Sequence, residues 1–100
     1  MHELEINEKL RTIIKENNRL KLSGNYEEFL KFNKVMTYCY KSLSYEYQRI
    51  FRKCYLEEEF KLWWEEEYSK TSFYRKRIKV ITSFVNLFEM KYENFNDIAN

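Results

Sequence analysis

Apolar residues recur along this chain at intervals of three and four rather than two, the period of amphipathic helices and not of strands. Ile6, Leu10, Ile13, Asn17 and Leu20 are spaced 4, 3, 4 and 3, which predicts a first helix over about Glu3 to Lys21 with a heptad seam. An asparagine inside such a seam has two readings. It specifies a homodimer through this helix, or it sits where the helix packs on its own domain. "SGN" at 23 to 25 ends the helix. Asn25 then caps a second helix, Glu28 completes a capping box, and Phe29, Phe32, Val35, Met36 and Tyr40 form the buried stripe. Ser44 caps a third helix with Glu46 in its first turn and Tyr47, Ile50, Phe51 and Cys54 on its apolar face.

"YLEEEFKLWWEEEY" has no strong breaker, and a short fourth helix is expected from about Glu58 to Glu67, burying Leu62 and at least one tryptophan. Ser69 caps a fifth, which runs to about Phe88 or a few residues beyond, before the tail "KYENFNDIAN" frays. The chain therefore reads as all-α, a small bundle of about five helices. The absence of proline and the single glycine, Gly24, agree with that. One hundred residues with 44% hydrophobic and 19% aromatic content suit one domain over 1–100.

Charge changes the picture only through its distribution, because a net charge of +2 is unremarkable for a surface of this size. In the fifth helix, Phe73, Tyr74, Ile78, Val80, Ile81, Phe84, Val85 and Phe88 fall on one arc. The opposite arc holds Thr71, Ser72, Arg75, Lys76, Lys79, Thr82, Ser83 and Asn86, with no acid before Glu89. A solvated face ordinarily mixes signs to gain i,i+4 pairs, so a face of one sign points to a negative partner. Double-stranded DNA is the natural candidate: Thr71, Ser72 and Arg75 would meet base edges, and Lys70, Lys76 and Lys79 the phosphates. Arg77 falls inside the apolar arc, and its head is expected to pair with a glutamate of the preceding helix.

The segment from Leu43 to Phe88, through "LSYEYQRIFRKCYL" and "YSKTSFYRKRIKVITSF", resembles the C-terminal helix-turn-helix of sigma-70 region 4, particularly in small phage regulators of the ArpU type. Small proteins of mollicutes and related Firmicutes look similar. The resemblance implies a helix-turn-helix over 43–90; residues 1–24, outside it, form the N-terminal helix, whose seam would make it a dimerisation arm. It also implies sequence-specific transcription regulation at promoter DNA, with RNA polymerase as a further contact. Residue by residue, Ser69 matches the cap of the recognition helix, Thr71, Ser72 and Arg75 the groove-facing positions, and Lys76 and Lys79 the backbone contacts.

A second reading comes from Glu57 to Glu59 and Glu65 to Glu67 around Trp63 and Trp64, which form an acidic, aromatic surface for a non-catalytic adaptor that docks a basic protein, with Trp64 as anchor. Catalysis is not expected. Cys39 and Cys54 lack metal-ligand spacing, His2 is the sole histidine, no phosphate loop is present, and no nucleophile stands with a base, so neither cofactor nor metal is implied. No apolar run reaches membrane-span length and the N-terminus has no signal-peptide pattern, which leaves a cytoplasmic protein as the expectation.

Overall fold

The computed structural model describes residues 3–57 and 62–99, with side chains described through residue 92. Four helices account for the fold: α1 (Glu3–Leu22), α2 (Tyr26–Lys41), α3 (Tyr45–Phe51) and α4 (Lys70–Ala99). No strand occurs among the described residues. The boundaries follow local chemistry. Gly24 takes a φ of 83°, a left-handed conformation that glycine adopts without steric cost, and so turns the chain out of α1. Asn25 Oδ1 accepts the Glu28 backbone N–H at 3.2 Å, as a cap should. The return arm of the expected capping box is absent, because the Asn25 N–H donates to Ser23 Oγ instead, at 3.2 Å. Ser44 Oγ accepts from the Tyr47 N–H, and Ser69 Oγ from the Ser72 N–H, each at 3.2 Å.

The heptad seam is buried inside the chain itself. Ile6, Leu10, Ile13 and Leu20 lie in the core, and Asn17 Oδ1 accepts from Asn33 Nδ2 of α2 at 3.2 Å. A homodimer through α1 would therefore have to use one of its other faces. On α4, Phe73, Val80, Ile81, Phe84, Val85 and Phe88 are buried, while Tyr74 and Ile78 are partly so. Phe51 of α3 stacks on Phe84 at 4.5 Å, and Phe32 of α2 meets Phe88 at 5.1 Å. α4 is thus the element against which the other three pack.

Two differences from the sequence reading lie between and beyond these helices. The expected fourth helix is absent among the described residues. Leu62–Glu67 form successive turns, closed by bonds from Glu65 N–H to Leu62 O and from Glu67 and Tyr68 N–H to Trp64 O. Leu62, expected to be buried, is 41% exposed, whereas Trp64 is buried, as expected of at least one tryptophan. The start of that helix, Glu58 and Glu59 included, lies outside the described residues, as does His2. The tail from Lys91, expected to fray, instead continues α4 to Ala99.

α3 itself does not stop at Phe51. Arg52–Leu56 form a π-helical turn, whose wider ring is closed by Glu57 N–H donating to Arg52 O at 2.8 Å. In the connection that follows, the described residues before α4, 62–69, form turns and no helix. A helix-turn-helix joins its two helices by three or four residues, so this connection is longer than that motif uses.

Candidate nucleic-acid interface

Helix phase decides which α4 side chains reach solvent. Lys70, Thr71, Arg75 and Lys79 are exposed, and Ser72 is partly buried beside them. Thr71, Arg75 and Lys79 are four residues apart and so line one ridge, roughly 12 Å long at 1.5 Å per residue. Ser83 and Asn86 continue it with uncharged polar groups. Lys70, Arg75 and Lys79 make no ion pair among the described residues.

Lys76 and Arg77 differ from that trio. Lys76 Nζ lies 3.0 and 3.2 Å from the two carboxylate oxygens of Glu46 on α3, and 5.7 Å from the Tyr68 ring centroid. Its charge is already matched, although the sequence placed it among the phosphate contacts. Glu46 also accepts from the Tyr68 hydroxyl at 2.9 Å, and the Lys76 and Tyr68 bonds hold its carboxyl below the ordinary range. Burial, reinforced by that bond to Glu46, pushes the Tyr68 phenol up to about 12. Nothing in local sequence signals the Glu46–Lys76 pair, whose members stand thirty residues apart. Arg77 was expected to pair with the preceding helix. It bonds instead to Glu3 of α1 at 3.3 Å and lies over the Tyr74 ring at 4.9 Å.

The connection beside the ridge is fixed by contacts rather than by helix formation. Trp64 stacks face to face on Phe73, centroids 4.5 Å apart and planes within 8°. Trp63 stands edge-on to the same ring at 5.6 Å, and Arg49 and Lys53 sit over its indole at 5.1 and 5.2 Å. Arg49 also forms a bidentate pair with Glu67, and Glu57 pairs with Arg52. Of the acids expected to form a docking surface here, Glu57 and Glu67 are therefore paired with arginines of the α3 segment. Trp64, the expected anchor, is 6% exposed and belongs to the protein's own core. Glu65 and Glu66 face solvent.

Among the described residues, no group of three or more His, Cys, Asp or Glu is placed to hold a metal ion. Among the same residues, no helix is long and apolar enough to cross a membrane. Cys39 and Cys54 are free thiols; burial pushes Cys39 up to about 11 and Cys54 upward as well. Compared with protein-family models, with curated proteins and with solved structures, the chain has no significant match.

Proposed function

We propose that the chain binds double-stranded DNA through the ridge at the start of α4 and acts as a small transcription regulator. The observation that carries this reading is the set of three exposed cations, Lys70, Arg75 and Lys79, for which the fold supplies no counter-charge among the described residues. A phosphate backbone supplies that charge, and releases counterions as it does so. Thr71 and Arg75, the ridge residues nearest the capped N-terminus of α4, carry the hydroxyl and guanidinium groups suited to base edges.

A duplex is favoured over a single strand because single-strand sites stack bases on exposed rings. Here Phe73 is buried and Tyr74 lies beneath Arg77. The reading rests on the α4 ridge and not on a helix-turn-helix turn. The resemblance to sigma-70 region 4 and the ArpU type supports the choice of promoter DNA and extends it to RNA polymerase as a contact.

The test is fluorescence anisotropy with AT-rich duplexes between about 50 and 200 mM salt. Two phosphate contacts, Lys70 and Lys79, predict roughly a 12-fold loss of affinity over that range. Arg75→Glu with Lys79→Glu should abolish binding while helicity and Tm hold, since both side chains are exposed. Absence of binding at the lowest salt, or binding indifferent to the double reversal, would refute the reading.

A further inference from the structure

A second feature lies along the flank of α4, away from its first turns. An open groove of about 630 Å³ lies between α1 and α4. Its floor is apolar, made by Ile13 and by Phe88 and Tyr92, whose rings stack at 5.5 Å with planes within 8°. Its rim is acidic. Glu5 and Glu8 of α1 are exposed and make no ion pair among the described residues, whereas Glu89 opposite is already bridged to Lys9 at 3.0 Å. An apolar floor beneath two unmatched carboxylates repels phosphate, so this groove does not extend the DNA ridge. Its volume takes side chains rather than a whole domain.

We propose that the groove docks a basic amphipathic segment of another protein. Apolar side chains of that segment rest on Ile13, Phe88 and Tyr92, and its lysines or arginines meet Glu5 and Glu8. Helix-in-groove recognition uses this division of labour, with apolar anchors for affinity and flanking charge for choice of partner. The inference is independent of the DNA reading, since it uses other residues and the opposite charge.

The probe is a labelled helix-forming peptide of leucine and lysine at amphipathic spacing, titrated by anisotropy in the absence of DNA. Two controls accompany it, one with glutamate for lysine and one with serine for leucine. Binding should weaken at least about tenfold in Glu5→Lys with Glu8→Lys. It should weaken comparably in Thr12→Arg, which places a long cation across the mouth of the groove. Glu65→Lys with Glu66→Lys, on the connection, should leave it unchanged. Helicity and Tm of each variant establish that it folds, and the Thr12 variant decides the matter if the double reversal does not fold. The proposal is overturned by no binding at low salt, by equal binding of the glutamate peptide, or by loss confined to the Glu65–Glu66 variant. Concentration-dependent self-association abolished by Glu5→Lys with Glu8→Lys would also overturn it, by making a second copy the occupant.

Discussion

Glu46 sits in the first turn of α3, yet its carboxylate is committed elsewhere, to Lys76 of α4 and to the Tyr68 hydroxyl of the connection. Glu46→Gln should free Lys76 for a third phosphate. Duplex affinity is then expected to rise, and the salt dependence to steepen by about one counterion, read from the slope of log affinity against log salt. An unchanged slope would mean that Lys76 stays clear of DNA even when released. The same carboxyl sets an acid limit on stability. Its folded pKa lies below the ordinary 4.5, so between the two values the unfolded chain binds more protons. The contribution is complete above about 4.5 and is lost as pH falls through the folded value; Glu67, held down by Arg49, acts with the same sign. Thermal melts between neutral pH and pH 3 should show the fall, with Glu46→Gln less sensitive than the parent. Trp64→Ala removes a buried indole stacked on Phe73 and should cost about 3–5 kcal/mol in denaturant unfolding.

At the level of elements, α1, α2 and α4 were legible because their signals are local: period, caps and the Gly24 turn. The candidate ridge was legible for the same reason, since helix phase alone assigns Lys70, Thr71, Arg75 and Lys79 to solvent. The connection was not. Its turns are held by Trp64 on Phe73 and by Arg49 on Glu67, contacts made across intervening chain that no helix periodicity encodes. Lys76 and Arg77 escaped for the related reason that their partners, Glu46 and Glu3, are distant in sequence. The α1–α2 pairing offers a test of how polar groups serve an interface. Asn17→Leu alone leaves Asn33 partly buried without its partner and should cost about 1–3 kcal/mol. Adding Asn33→Leu should recover most of that loss, measured as a double-mutant cycle in urea. Additive losses would show that the amides do not act as a pair.

For the whole molecule, α4 sets the length: thirty residues at 1.5 Å span about 45 Å, against a long axis of 46 Å. The two surfaces on this rod carry opposite charge. Lys79, at the end of the basic ridge, precedes Phe88 in the groove floor by roughly 14 Å of helix, which exceeds the ~10 Å Debye length at 0.1 M salt. The groove carboxylates start nearer than that floor, since Glu3, two residues before Glu5, bonds Arg77 of α4, and they should disturb DNA through a field that salt screens. Glu5→Lys with Glu8→Lys is expected to raise duplex affinity by less than about tenfold near 50 mM salt, and the gain should fade by 200 mM. A gain that persists at 200 mM would indicate direct contact with phosphate.

That α4 is the common partner of α1, α2 and α3 bears on how the chain is made. Synthesis delivers the three shorter helices first, and none of them can cover its apolar face fully until Phe73 to Phe88 have left the ribosome. During that interval the side chains that meet α4, Phe32 and Phe51 among them, lack part of their cover, and a chain halted before Phe73 is expected to expose apolar surface.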